Sequence, residues 1–559
     1  MSTGEHAGGS RGRNAWAAVA VIALAAGAFL NGLRGTFVFD DLGAILNNPD
    51  VTLGWSPFAQ RSSIETTVSG RPIPTWTLAW NYAWGATDPW GYHVVNIAIH
   101  CAAAGILFGL IRRTLSGPVL GPRWADRATV AAACAAAMWA VHPLQTESVT
   151  YVVQRVESLC GLFFLLTFYA VVRVTEGGGR WRWAAVGACA AGMATKEVMV
   201  TAPIAAVLLD RAFFAGSFRA VWCQRRGLYL MLAATWLLLA AILFSNPRGG
   251  SAGAGVPFGW WDYARTQPAV ILHYLRLTFW PDRLVLDYSW PVSAAGFATP
   301  VQWAAVVGLA SAGLYGLARN RAWGFLLFVG LLILAPSSSV YPILDAAFEH
   351  RMYLPLAPVA IGTAVVVCRL VAKIRQGGRR ADRFTVLLCI PVVALLMWRT
   401  VRRNADYADP IGLWQKNLVD GGMDKPRVWQ NLSASFLVAG RNAEARDAAI
   451  FAIRCSKDYA EAYANLCAAC LATGRIDEAI EAGLNAVRID PNLAAVHLKL
   501  SRALSRAGRR EEATAHLDAA RRLNPSLLEY FASETIVDPV QGSPSMGSTK
   551  EANPVRIAP

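Results

Sequence analysis

The stretch Gly440-Arg-Asn-Ala-Glu-Ala445 returns as Gly474-Arg-Ile-Asp-Glu-Ala479 and again as Gly508-Arg-Arg-Glu-Glu-Ala513, each copy 34 residues after the last. Other positions keep the same step: Leu432, Leu466 and Leu500, then Ala452, Ala486 and Ala520. Pro491 and Pro525 close two of the units. Small Ala side chains let two helices approach closely, and a Gly at a fixed offset permits the turn between them. The C-terminal part is therefore read as stacked helix pairs.

A 34-residue period with Gly-x-x-x-Glu-Ala and a closing Pro is the tetratricopeptide signature. Three repeats, over roughly 426–527, make a short solenoid whose concave face suits an extended polypeptide, either acceptor or partner. The tail, 535–559, is rich in Pro, Ser and Gly and reads as disordered.

Ahead of the repeats the chain has a different character. Of its 559 residues 55% are hydrophobic and only 16% charged, where soluble domains carry about 25% charged residues. This composition, with 21 Trp, is that of a multi-pass membrane protein. The net charge of +15 is held in short basic loops between apolar runs, which argues for membrane topology and against nucleic acid. Eleven runs are read as spans: 14–34, 92–112, 128–146, 156–174, 182–196, 198–210, 227–245, 300–318, 323–340, 352–372 and 384–401. Arg11 and Arg13 precede the first, and every even-numbered exit is basic, from Arg112-Arg113 to Lys373, Arg375, Arg379 and Arg380. The positive-inside rule then places a segment 1–13 in the cytoplasm and the repeats outside it, in an inner (cytoplasmic) membrane. The first run reads as a retained signal anchor, because no small-residue cleavage site precedes the acids that follow it.

Those acids are Asp40 and Asp41, in Gly35-Thr-Phe-Val-Phe-Asp-Asp41. Two carboxylates are costly in hydrocarbon, so they belong at the water boundary, where water-soluble chemistry can meet a lipid-borne substrate. They open the first outward loop, 35–91, which also holds Arg61, Glu65, Arg71 and a Trp-rich run over 74–84 suited to the membrane interface. A second outward region, 246–299, contains 265–276, which is too polar to span. Four more polar clusters fall on the same side: His142 to Glu147, Gln154-Arg155-Val-Glu157, Lys196-Glu197, and Glu349-His350-Arg351. Taken singly, each is as readily a satisfied histidine, a helix cap or a snorkelling cation. Together, cations facing carboxylates at membrane depth suit a phosphate-bearing lipid.

The ten cysteines read as small packing residues and free thiols, although an extracytoplasmic Cys455 leaves a disulfide to Cys467 or Cys470 open. No nucleotide-binding glycine loop, zinc motif or Ser-His-Asp pattern is evident, which weighs against soluble nucleotide-sugar chemistry.

One ordered set of motifs has a wider meaning. Phe-Val-Phe-Asp-Asp41, Val141-His-Pro-Leu-Gln-Thr-Glu147, Thr195-Lys-Glu197, Phe279-Trp-Pro-Asp-Arg-Leu-Val-Leu-Asp-Tyr288 and Glu349-His-Arg-Met-Tyr-Leu-Pro355 precede the repeats. Over about 30–530 this order resembles the transmembrane and tetratricopeptide-repeat-containing protein O-mannosyltransferases and their bacterial relatives. The resemblance implies an all-α, GT-C-like polytopic bundle over 14–401, followed by the solenoid. It also implies a polyprenyl-phosphate sugar donor, with mannose as the sugar by analogy, and protein hydroxyls outside the cytoplasm as acceptors. Carried over residue by residue, it makes Asp40 or Asp41 the general base. His142, Lys196 and Arg351 become the contacts to the donor phosphate, with Glu147, Arg155, Glu197, Glu349 and His350 behind them. The chain departs from animal members in having three repeats, and Gln154-Arg155 where Gly-Arg is usual.

The reading is therefore an inverting, lipid-phosphate-sugar-dependent glycosyltransferase with no certain cofactor, the need for a divalent metal being left open. Two rivals are a non-catalytic membrane anchor for the repeats and a ligase or polymerase of lipid-linked glycans. A transporter would need paired, internally repeated halves, and none is seen.

Overall fold

The computed structural model describes residues 3–53, 66–124, 127–245, 252–293 and 296–524. Arg61, Glu65, Pro525 and the 535–559 tail lie outside these residues, as do parts of both outward loops. Within them the chain is built from helices and connecting turns, and the longer helices are numbered here in chain order.

The membrane part comprises α1 (Thr3–Phe29), α2 (Pro72–Gly85), α3 (Pro89–Leu115), α4 (Ala128–Ala140), α5 (Arg155–Thr175), α6 (Trp181–Met193), α7 (Ala202–Asp210) and α8 (Phe218–Ser245). It continues with α9 (Trp260–Phe279), α10 (Pro300–Ala318), α11 (Ala322–Leu334), α12 (Leu356–Ile374) and α13 (Gly378–Asp406). Eight helical segments are long and apolar enough to cross a membrane, fewer than the eleven runs read from the sequence. The runs at 128–146, 182–196 and 323–340 each carry a helix of 13 residues. Such a helix rises about 20 Å, against a hydrocarbon core of about 30 Å. The flanking turns extend the run of α4: Arg127 before it meets Asp382 and Val141 after it accepts from Thr400, so α4 lies along the length of α13. α4 is almost wholly buried among its neighbours, and the chain continues from it through short turns to Gln154.

α1 is fastened to the last membrane helix: Asn31 Nδ2 donates to Val401 O at 2.7 Å and Asn404 Nδ2 to Ala28 O at 2.8 Å. α10 and α11 form a hairpin that closes on two glycines. A Cβ on Gly324 would lie 2.3 Å from the backbone of Gly316, so only glycine permits that contact. α2 is the Trp-rich segment: Leu78 and Ala79 face inward, while Trp76, Trp80 and Trp84, one turn apart, are exposed. α9, which carries the 265–276 stretch, buries Tyr263, Val270 and Tyr274 and exposes Trp260 and Trp261.

Beyond the bundle lie α14 (Pro410–Gly421) and three helix pairs: α15 (Pro426–Val438) with α16 (Asn442–Cys455), α17 (Ala460–Ala472) with α18 (Ile476–Ile489), and α19 (Ala494–Arg506) with α20 (Arg510–Leu523). Gly440, Gly474 and Gly508 have φ of 71°, 76° and 79°, with no atom within 4 Å of an added Cβ. Glycine is needed there for the left-handed turn and not for space. Ser433 Oγ and Ser501 Oγ each donate at 2.7 Å to the carbonyl of Ala445 and Ala513 across their pairs. Cys467 takes the same place in the middle repeat as a buried free thiol. All ten cysteines are free; Cys455 is exposed.

One apolar core joins the solenoid to the bundle. Val38 and Ile45 from the first loop, Tyr151 to Val153, and Leu286 pack with Trp414, Val428, Leu432 and Phe436. The first repeat is thus seated on the end of the bundle that carries the acidic pair.

Candidate functional site

The acidic pair is held by a strained turn. Phe39 has φ of 51°, a backbone conformation unusual for a bulky side chain. Its ring stacks near Tyr151, meets Trp414 edge-on at 5.4 Å, and lies 5.8 Å from the Arg427 guanidinium. The turn sends its two aspartates into different surroundings. Asp41 is fully buried, and both its oxygens are engaged: Val38 N donates to Oδ2 at 3.0 Å and Val153 N to Oδ1 at 2.7 Å. Burial pushes its carboxyl up to about 8, against the pull of those amides.

Asp40 is half-buried. Its Oδ2 accepts from Thr67 Oγ1 at 2.9 Å, its backbone N–H donates to Tyr151 Oη at 2.9 Å, and the Tyr151 hydroxyl also acts on its carboxyl. Burial raises its carboxyl above the usual range, the Thr67 hydroxyl lowers it, and Asp345 raises it further against Arg427. Tyr151 is the link inward: burial, Asp40, Asp41 and Glu147 together keep its hydroxyl protonated.

Arg427, on the first turn of α15, closes the other side. Its Nε meets Asp287 Oδ2 at 2.5 Å, and Nη2 meets Asp287 Oδ1 at 2.6 Å and Asp345 Oδ1 at 2.5 Å. Asn417 adds a reciprocal pair with the Asp287 backbone, at 2.8 and 2.9 Å. The sequence reading did not single out Arg427. The signal was available, because the equivalent positions of the other repeats hold Glu461 and Ala495, so this Arg serves no repeat packing rule.

Behind the aspartates lies a cluster of buried charge. Glu147 accepts from His350 N at 2.8 Å and pairs with His350 Nδ1 at 2.9 Å. Burial and Glu349 raise its carboxyl well above the ordinary value. Glu349 Oε1 accepts from Val285 N at 2.8 Å and Tyr288 Oη at 2.9 Å, while its buried Oε2 has no partner among the described residues. Burial pushes Glu349 up to about 7. His350 is held neutral by burial and by Lys196, Arg351 and Arg71 around it. Lys196 is paired with Glu157, and Arg71 with Glu197 at 2.8 Å.

Three candidates are placed differently from the rest. His142 is satisfied at both ring nitrogens, by Thr278 O at 3.0 Å and Leu144 N at 3.2 Å, and serves to tie its turn to α9. Arg155 is fully buried and spends its donors on Asn96 Oδ1 at 2.6 Å and the carbonyls of Thr77 and Tyr92, both at 3.0 Å. Arg351 binds the carbonyls of Ser337, Asp345 and Ala346, so it fixes the 337–346 turn. Glu147, Glu349 and His350 are brought together, with Lys196 near enough for its charge to act on His350, and Tyr151, bonded to the Asp40 N–H, feels the charge of Glu147. Among the described residues no three His, Cys, Asp or Glu side chains converge as metal ligands.

Fold and site together define a multi-pass, all-helical membrane protein with a tetratricopeptide-like solenoid docked over an acidic and cationic cluster. A family described as "Bacterial transcriptional activator domain" matches residues 427–528, within the helical repeats. Protein O-mannosyl-transferase Tmtc2 of Drosophila melanogaster is 31% identical over 291 residues, 48% of this chain and 29% of that protein. Protein O-mannosyl-transferase TMTC4 of Homo sapiens is 38% identical over 172 residues, 27% of this chain and 22% of that protein. Protein O-mannosyl-transferase F38B6.6 of Caenorhabditis elegans is 25% identical over 415 residues, 70% and 56% of the two chains. The chain thus spans less than a third of the fly and human relatives and about half of the worm one. Among solved structures, ArnT from Cupriavidus metallidurans bound to undecaprenyl phosphate aligns over 92% of this chain and 90% of its own, at 13% identity and a TM-score of 0.40. The resemblance to protein O-mannosyltransferases drawn from the motifs is also found by direct comparison.

Proposed function

We propose that this protein is a GT-C-type glycosyltransferase that moves a sugar from a polyprenyl-phosphate donor to hydroxyls of polypeptides outside the cytoplasm. Mannose is the sugar suggested by the names of its relatives. The observation that carries the reading is the unequal pair: Asp41 is fully buried with both oxygens committed to backbone amides, while Asp40 is only half-buried at the bundle end and is met by the side-chain hydroxyls of Thr67 and Tyr151.

Asp40 is the general base. It takes the proton of the acceptor hydroxyl as that oxygen bonds to the anomeric carbon, and the carbon–oxygen bond to the lipid phosphate breaks. The phosphate leaves with the bonding electron pair, and a single displacement inverts the anomeric centre. Lys196 and Arg71, on the same end of the bundle, are the cations suited to offset the leaving charge. Asp41, Arg155 and Arg351 hold backbone in place, and His142 does the same; none of them touches substrate. The repeats present the acceptor from outside, with Arg427 fixing the first of them to the site.

The test is transfer of sugar from polyprenyl phosphate to a hydroxyl-bearing peptide by the reconstituted chain and its Asp40→Asn variant. Loss of transfer with intact membrane insertion supports the reading. Full activity in the variant overturns it and favours a non-catalytic anchor for the repeats.

A further inference from the structure

A groove of about 580 Å³ between α3, α5, α11 and α12 runs from Leu354 and Ala357 toward the end of the bundle opposite Asp40. Its walls are apolar along most of its length, with Phe168, Phe325 and Ile361 among them. Along α12 it runs from Ala357 to Arg369, about 18 Å at helical rise. The far end changes chemistry: Arg321, Arg369 and Asn320 line it, and among the described residues no carboxylate does. Asn320 is occupied, donating to Gly216 O at 3.0 Å. Arg369 rests over the Trp124 ring at 5.4 Å, and both guanidinium groups are exposed. Thr114, also in the lining, has a buried hydroxyl without a hydrogen-bond partner among the described residues.

An apolar trough that ends in two cations, with no carboxylate in its lining among the described residues, has the polarity of a lipid with an anionic headgroup. The lipid-linked sugar does not fit, because its phosphate has to reach the Asp40 end and these arginines stand at the other end of α12. We infer that the groove seats an anionic glycerophospholipid of the bilayer, its chain along α11 and α12 and its phosphate between Arg321 and Arg369. The choice of a bilayer phospholipid over the donor rests on Asp40 as the catalytic end, whereas the lipid-retention measurement below reads the groove without any transfer assay.

Native mass spectrometry of the full chain, titrated with phosphatidylglycerol, phosphatidylcholine or polyprenyl phosphate, tests it. Phosphatidylglycerol should be retained over phosphatidylcholine by roughly thirtyfold, about fivefold for each arginine. The Arg321→Gln/Arg369→Gln variant, altered only at exposed side chains, should lose that preference. Gly362→Phe tests the trough with both arginines intact, since a Cβ at Gly362 meets only Leu326 Cδ1, at 4.0 Å. It should lower retention of phosphatidylglycerol as strongly. Equal binding of the two phospholipids, or unchanged binding in either variant, overturns the proposal. Displacement of phosphatidylglycerol by polyprenyl phosphate would assign the groove to the donor and overturn it as well.

Discussion

Replacing each aspartate of the pair by asparagine should produce two different failures. Asp40→Asn keeps a carbonyl oxygen for the Thr67 hydroxyl and removes only the basic oxygen. The site is half-buried, so the loss of stability should be under about 1 kcal/mol, while transfer should fall about 10²- to 10⁴-fold for a lost general base. Asp41→Asn turns an NH2 group toward either Val38 N–H or Val153 N–H, two donors facing each other in a fully buried place. One buried amide is then left unsatisfied at about 1–3 kcal/mol. A destabilisation of about that size follows, seen as a lower thermal midpoint. The assays are single-turnover transfer from polyprenyl-phosphate sugar in proteoliposomes and thermal unfolding of the same preparations. Wild-type transfer by Asp40→Asn would refute the assignment. So would an Asp41→Asn protein that unfolds normally yet transfers nothing, because that outcome makes Asp41 the base.

The rate of transfer should fall as pH drops through a midpoint above the ordinary aspartate value of 3.8, because the base must be ionised and burial holds Asp40 above it. Arg427→Gln removes a cation that lowers Asp40, so it should move that acid limb to higher pH in a pH–rate profile and loosen the first repeat. Lys196→Met should cost about 3–5 kcal/mol by leaving Glu157 buried and unpaired. The Lys196→Met/Glu157→Gln pair should recover the thermal midpoint but not the transfer rate; recovery of both would make the pair purely structural. Gly161→Ala places a methyl 2.4 Å from the Tyr353 ring and should destabilise the bundle by about 1–3 kcal/mol, read by thermal unfolding.

The helix pairs were legible because a 34-residue period is a local signal, written in Gly and Ala at fixed offsets. The membrane helices were legible too, since apolar composition alone marks them. Their lengths were not: the apolar run at 128–146 continues past Ala140 in buried turns that look like helix to any hydropathy window. The site was legible only as a set of residue types. His142 and Lys196 look alike as polar residues at span edges, and what separates them is a partner far along the chain: Thr278 for one, Glu157 for the other. Arg155 and Arg351 likewise bind carbonyls that no motif encodes.

The position of Arg427 bears on why a solenoid is joined to a membrane bundle at all. A repeat array needed only to recruit partners works on a flexible tether, and the 34-residue pattern would then run through its first helix undisturbed. Here that helix carries a forked arginine holding Asp287 and Asp345, and its core residues Val428, Leu432 and Phe436 pack with the strained turn that aims Asp40. A polypeptide bound along the repeats would therefore approach Asp40 from a fixed direction, without a search by a loose domain. Such positioning raises effective concentration at the base. Its cost is that the first repeat cannot move without disturbing the turn. Inserting a flexible linker after Asp409 should therefore abolish transfer even with every candidate catalytic side chain present. Retained transfer with the linker in place would mean that the docking serves stability alone.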